Sequence, residues 1–373
     1  MNGYKEPGVQ KIRDFYAMKK NAPIYHQEFG FFTIDRWVRE GHIKGADDLN
    51  AICGFDPPGT AGIGGLGWCE AALVPQYEEK ILEDRGEYEL VLDYAGRSVL
   101  YFKGRRNGFM PEYVDHPVKD MASWERDVKW RLDPDTPERY KGIEERMKTE
   151  IGKEERGFII CQYVIGGYMY LRSLIGPEDL LYKFYDDPAL IHDCMKTWFE
   201  LADAVISAHQ KYIAFDELFF GEDICYNCGP LISPDMIKEF IFPYYKQLIA
   251  NMKKRQTKSG KHLYFHIDTD GDPRPVIPLY MGLGMDYMSP FEVASNCDVV
   301  EIRKQYPELL ISGGIDKRIL AAGKDAIDRE LERVIPFMRE RGGYIPTCDH
   351  GVPEEVAFDD YMHYRKRMLA LGG

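Results

Sequence analysis

His266, Asp268 and Asp270 occupy every second position of the stretch FHIDTDGD, residues 265 to 272. In an extended chain alternate residues point to one side, so an imidazole and two carboxylates would share one small space. Unpaired, they would repel one another and lose hydration. Together they offer hard oxygen and nitrogen ligands for zinc or a similar ion, or else a set of proton donors and acceptors. A plainer reading also stands: Asp270 and Asp272 can cap a helix that opens at Pro273, as DGDP suggests.

Other polar residues gather after apolar runs in the same way. Glu222 and Asp223 follow LFFG, Glu292 follows YMSPF, Asp316 follows ISGG, and Cys348, Asp349 and His350 follow YIPT. Glu222, Asp223 and His350 are the candidate acid and base groups. His266, Asp268, Asp270, His350 and Cys348 are the candidate ligands for zinc, with the last two arriving from a separate strand. Tyr163, Tyr168, Tyr226 and Glu292 stand where strands should end and are the candidate substrate contacts. Any one of these could be a helix cap or a surface ion pair. Their recurrence at consecutive strand ends is what points to a site.

Strands and helices must alternate to place them so. The short runs FIICQYV (158–164), FDELFFG (215–221), HLYFHID (262–268), MDYMSP (285–290), ELLISGG (308–314) and GYIPT (343–347) read as buried strands. Helical patterns separate them, several opening at Asp, Ser or Pro: residues 177–212, 233–256, 272–284, 297–307 and 316–342. Such alternation predicts a parallel sheet with helices outside, at the density of a TIM (β/α)₈ barrel. The organisation is read as one unit over residues 1–373. Residues 151–373 carry the regular βα units, and residues 1–150 form an irregular, partly helical N-terminal portion packed on the barrel. Within that portion EYELVLDYAGRSVLYFK (87–103) reads as a β-hairpin turning at Ala95 and Gly96, and DHPVKDMASWERDVKWRL reads as a capped helix.

A chain of 373 residues, 45% hydrophobic, can bury a core of that size. A net charge of −13 with no basic stripe argues against nucleic acid and anionic membranes as partners. No apolar run reaches the roughly 18 to 20 residues that a bilayer requires, and MNGYKEPGVQKIRDFY lacks a signal peptide's apolar core, so a cytoplasmic protein is expected. The eight cysteines are scattered like reduced thiols rather than a disulfide framework. CYNC (225–228) reads as two loop thiols near the pocket, since no helix opens behind it to support redox chemistry. GIGGLG (62–67) has dinucleotide spacing but follows FDPPGTA rather than a recognisable strand, and is read as a loop near the barrel mouth. Arg105 and Arg106 in GRRNG could grip a carboxylate, though a hairpin end explains them as well.

The segments EFGFFTIDRWVREG, HPVKDMASWER, IGPEDLLYKFYDDPALI, GPLISPDMIKEFIFPYYK, GGIDKRIL and DHGVP, in that order, resemble the uroporphyrinogen decarboxylase superfamily. That superfamily holds haem-pathway decarboxylases and cobalamin-dependent methyltransferases, and the resemblance implies a TIM barrel. The decarboxylases' N-terminal RQAGR motif, whose arginines bind porphyrinogen carboxylates, is missing here. HGV at His350 resembles their final-strand histidine motif. The zinc methyltransferases carry HxCG and a last-strand cysteine. Aligned on Gly271, this chain has Asp268 and Asp270 at the first two ligand positions and His350 in place of the last cysteine. Any ion held would have harder ligands, suited to polarising an ether oxygen. The resemblance implies a methyltransferase component that moves a methyl group from a methylated small molecule, such as a methoxylated aromatic, to cobalamin on a separate corrinoid protein, with a homodimer as the assembly. The alternatives are a decarboxylase of a tetrapyrrole or related acid and a non-catalytic corrinoid or tetrapyrrole binder.

Overall fold

All six apolar runs form strands, and one further strand precedes them. The computed structural model describes residues 6–104 and 111–373. Arg105 and Arg106 therefore lie outside the described residues. The strands are β1 (Thr60–Ile63), β2 (Ile159–Ile165), β3 (Glu217–Gly221), β4 (Tyr264–Asp268), β5 (Tyr287–Ser289), β6 (Leu310–Ser312) and β7 (Tyr344–Ile345). They lie side by side in chain order, every neighbouring pair parallel. Parallel neighbours need a crossover between them, which helices supply. Among these are Gly167–Ile175, Pro188–His209, Phe242–Arg255 and Lys324–Arg341.

Strand alternation divides the side chains into two layers. Ile160, Leu218, Phe220, Phe265, Ile267, Met288 and Ile311 belong to the main core with the surrounding helices. Ile159, Tyr287, Leu310 and Ile345 form a second cluster with Ile12, Phe15 and Tyr16. Residues of β2 can meet residues of β5 to β7 only if the sheet curls round on itself. The helix Pro7–Tyr16 plugs the base of that curl: Arg13 donates to Gly157 O at 2.8 Å and Phe158 O at 2.9 Å, and pairs with buried Asp216 at 3.0 Å. The fold is thus TIM-barrel-like. The expected eighth strand is not present among the described residues. The edge at the β7 side is met instead by one parallel bridge between Phe31 and Val352, too short a ladder to form a strand.

The hairpin is present and belongs to a four-stranded antiparallel sheet, Lys80–Arg85, Tyr88–Leu92, Ser98–Phe102 and Glu112–Asp115. Its turn is set by Asp93, whose Oδ1 accepts from Ala95 N at 3.0 Å and Arg97 N at 2.8 Å. Gly96 stands at φ +83° against the Tyr77 ring, where a side chain would be strained and would collide. The helix read over MASWERDVKWRL is helical throughout, with a π-helical turn at Trp124–Val128 and a capping box between Asp120 and Ser123. No helix among the described residues is long and apolar enough to cross a membrane.

Candidate functional site at the barrel mouth

The inward faces of the central strands hold one continuous hydrogen-bonded chain. The sheet register sets Phe219 of β3 beside His266 of β4, and His266 and Asp268 beside Tyr287 and Ser289 of β5. Tyr16, from the base helix, donates its hydroxyl to Glu217. Glu217 Oε1 lies 2.7 Å from His266 Nδ1, His266 Nε2 lies 2.8 Å from Ser289 Oγ, and Ser289 Oγ lies 2.6 Å from Asp268 Oδ2. The imidazole stacks on Tyr287, ring centroids 3.5 Å apart. The carboxylate at Nδ1 requires a proton there. Ser289 has a single hydroxyl proton to share between His266 and Asp268, so the chain holds one further proton, placed at His266 or at Asp268. Burial, together with the neighbouring Asp270 and Asp223, pushes the Asp268 carboxyl up to about 7 against the opposing Ser289 hydrogen bond.

Glu222 and Asp223 leave the end of β3 with different fates. Glu222 is wholly buried, and its carboxyl accepts from Tyr168 N at 3.1 Å and from the Tyr245 hydroxyl. Burial raises it to about 7 although those donors oppose the shift. Gly166 makes this possible, because a Cβ there would lie 2.5 Å from Glu222 Cα and Oε2. Glu222 thus ties the helix Gly167–Ile175 to the barrel from behind the mouth. Asp223 is forced to φ +42°, a strained conformation for a residue with a side chain. Its carboxylate pairs with Arg172, and its backbone N–H donates to Asp268 O at 3.2 Å.

Across the mouth, Asp270 is half-exposed. Partial burial and the charges of Asp223 and Glu292 push its carboxyl up to about 7, against Lys317 and Arg172. His350 Nε2 stands 4.0 Å from Asp270 Oδ2, and its ring lies against Phe29 and Phe32. Burial and Lys317 lower the His350 pKa, opposed by Glu292. Glu292 accepts from Gly271 N at 2.9 Å and lies 3.5 Å from Lys317 Nζ. The helix-cap reading of DGDP separates its two aspartates. Asp272 takes the structural part through Arg274, while Asp270 is left facing His350.

The tyrosines also divide. Tyr163 points inward and, with Trp68 and Phe219, makes an aromatic wall: Trp68 stacks on Phe219 at 5.3 Å, and Tyr163 meets both rings edge-on. Tyr226 is exposed on a small hairpin with Gly229–Pro230. Tyr168 is fully buried in a helix, so it supports Glu222 through its backbone and does not line the mouth. Sequence reasoning missed Glu217, Ser289, Arg172, Lys317, Trp68, Phe219, Phe29 and Phe32. Glu217 and Phe219 carried a signal, since they alternate within FDELFFG as His266 and Asp268 do within HLYFHID.

These residues do not fit a zinc site. Both ring nitrogens of His266 are occupied, and Cys348 is fully buried, its backbone N–H on Glu28 and its thiol pushed well up by burial. Among the described residues no three His, Cys, Asp or Glu side chains converge as an ion would need. In CYNC, Cys225 is buried and Cys228 exposed, both as free thiols. GIGGLG does begin on a strand, β1, contrary to its sequence reading. No helix opens at its end, so the dinucleotide arrangement is still missing.

Residues 111–367 match the family model described as uroporphyrinogen decarboxylase (URO-D). A uroporphyrinogen decarboxylase of Trichlorobacter lovleyi is 25% identical over 137 residues, 35% of this chain and 37% of that protein. The match therefore spans little more than a third of that relative. A solved methyltransferase from Methanosarcina mazei aligns over 98% of each chain with a TM-score of 0.56 at 12% identity, a likeness of fold. The family match takes in every barrel strand except β1 and more than half of the sequence, so this chain belongs to the uroporphyrinogen decarboxylase family.

Proposed function

We propose that the barrel mouth removes a methyl group from an oxygen or nitrogen of a small molecule, such as a methoxylated aromatic, and passes it to a corrinoid carried by a separate protein. The observation that carries this reading is the charge balance of the mouth. Asp223, Asp270 and Glu292 face it beside Asp268, which keeps its proton in this scheme, while its cations, Arg172 and Lys317, are already turned to Asp223 and Glu292. A tetrapyrrole bearing several carboxylates would meet repulsion there and find no free guanidinium among the described residues of the mouth. A neutral methoxyarene would find the aromatic wall of Trp68, Tyr163 and Phe219 and a carboxyl able to hold a proton.

Breaking the methyl–oxygen bond leaves its electron pair on oxygen, and an alkoxide or phenoxide departs more readily if a proton arrives as charge develops. Asp268 supplies that proton in this scheme, and the chain through Ser289 and His266 to Glu217 fixes its carboxyl in place. Asp270 and His350 stand at the rim as a second acid–base pair. The corrinoid, when its carrier docks, supplies the nucleophilic metal that accepts the methyl group. The exposed rings of Phe29 and Phe32 at the rim suit a broad, flat partner of that kind.

The test mixes the protein with a cobalt(I) corrinoid protein and a panel of methoxylated and N-methylated donors. Donor-dependent loss of the cobalt(I) absorbance is expected, reduced on the order of a hundredfold or more in Asp268→Asn. No loss with any donor, together with coproporphyrinogen formation from uroporphyrinogen, would transfer the mouth to decarboxylation.

A further inference from the structure

A second cavity system lies on the outer side of the glycine-rich loop after β1. One chamber of about 440 Å³ is lined by Gly64, Gly65, Ala71, Leu73, Val205 and His209 among others. An adjoining chamber of about 390 Å³ reaches Met147, Thr149 and Glu150. Gly64, Gly65, Arg146 and His209 line both. A Cβ on Gly64 or Gly65 would meet nothing within 4 Å, and Gly65 stands at φ +102°, so the loop presents bare backbone to the space.

Three groups around this space each keep a polar atom that bonds no described residue. His209 is only 3% exposed, and its Nδ1 lies 2.8 Å from Gln162 Oε1. The Gln162 amide N–H₂ is used on Ile63 O and Tyr163 O, each at 2.9 Å, so its oxygen faces the imidazole. His209 therefore donates from Nδ1 and keeps its lone pair on Nε2, which bonds no described residue. Glu150 spends Oε1 on Lys153, and its buried Oε2 has no hydrogen-bond partner. Arg146 is exposed, and its guanidinium makes no ion pair or side-chain hydrogen bond with any described residue. Burial, with Arg146 adding to it, lowers His209 to about 4, which keeps the imidazole neutral.

Two unused acceptors and one unused cation define a complement. A simple anion would satisfy Arg146 and leave Glu150 and His209 wanting donors. A simple cation would do the reverse. We infer that the Gly64–Gly65 cavity binds a small zwitterion of the α-amino acid class, its ammonium group donating to Glu150 Oε2 and His209 Nε2 and its carboxylate on Arg146. Both chambers are within the size of ordinary ligand sites. The site uses no group of the acid chain at the mouth; of the described residues named for the mouth, Trp68 also lines the first chamber.

Isothermal titration calorimetry on the full chain tests this, with L-alanine, L-serine and L-glutamate as probes and acetate, ammonium chloride and glycine betaine as controls. At least one amino acid should bind saturably and more tightly than every control. Arg146→Ala, an exposed change, should weaken it by about tenfold or more at unchanged thermal stability, and Glu150→Gln should narrow the gap between the amino acid and acetate. The inference is overturned if no amino acid binds, if acetate or glycine betaine binds as well, or if Arg146→Ala leaves the affinity unchanged.

Discussion

At the level of single residues, two carboxyls on neighbouring strand ends hold protons chiefly because both are buried, but they sit in different hydrogen-bonded settings. Glu222 is buried outright and titrates near 7 where an ordinary glutamate titrates near 4.5. Between those values the folded protein keeps a proton that the unfolded chain has released, so stability falls as pH rises across that interval and levels off above it. The change amounts to about 3 kcal/mol. Asp268 and Asp270, also raised to about 7, add slope of the same sign, so Glu222→Gln should lessen the loss between pH 5 and pH 8 by roughly 2–3 kcal/mol without abolishing it, measured as urea-unfolding free energy; an unchanged slope would mean that Glu222 contributes none of it. Asp268 is held in place by Ser289, whose hydroxyl donates to its carboxyl and opposes the rise that burial causes. Ser289→Ala leaves His266 Nε2 without its partner in a buried site and should cost roughly 1–3 kcal/mol. If the chain also positions the acid, turnover in the corrinoid assay should drop at least tenfold with KM little changed. A normal rate constant in this variant would show that Asp268 works alone. The alternation of His266, Asp268 and Asp270 was legible because period two is a property of any strand. Ser289 and Arg172 were not legible, because their part depends on which strand lies alongside and how far a helix reaches.

Among the secondary-structure elements, what the sequence shows depends on contrast. Six strands stood out as apolar runs between polar helices. Thr60–Ile63 did not, since four residues beginning TAG carry little β signal. The helix Gly167–Ile175 was missed for the opposite reason: it is buried on nearly every side and follows the apolar run of β2 at once, with Gly166 at its start and no capping side chain to mark the boundary. That omission moved Tyr168 from a helix interior to an imagined strand end. The segment read as one helix over residues 177–212 is two, broken at Asp187, whose side chain caps the second by accepting from Leu190 N at 3.2 Å. The base helix had no signal as a plug, because its anchors lie at residues 157, 158 and 216. Arg13→Ala should free that helix and cost roughly 2 kcal/mol in urea unfolding, since one cation serves two carbonyls and the Asp216 carboxylate. A loss under about 0.5 kcal/mol would show that the apolar contacts of Ile12, Phe15 and Tyr16 suffice to hold it.

For the whole molecule, acidity is the property that sequence and structure express together. The net charge of −13 already argued against nucleic acid and anionic membranes as partners, but it could not say where the charge is concentrated. The barrel places Asp223, Asp268, Asp270 and Glu292, drawn from three strand ends, at one opening, and its cations Arg172 and Lys317 are engaged by two of them. Field lines from such an opening act on a ligand before any contact forms, and salt screens them over about 8 to 10 Å. Two methoxylated donors of the same shape, one neutral and one carrying a ring carboxylate, should therefore diverge with ionic strength. KM for the anionic donor should fall several-fold between about 0.02 M and 0.3 M salt, and KM for the neutral donor should stay nearly constant. Asp223→Asn should reduce the salt dependence for the anion, because it removes a carboxylate and frees Arg172 to receive the ring acid. If both donors respond alike, the mouth does not select by charge, and charge no longer favours methyl transfer over decarboxylation of a polyacid.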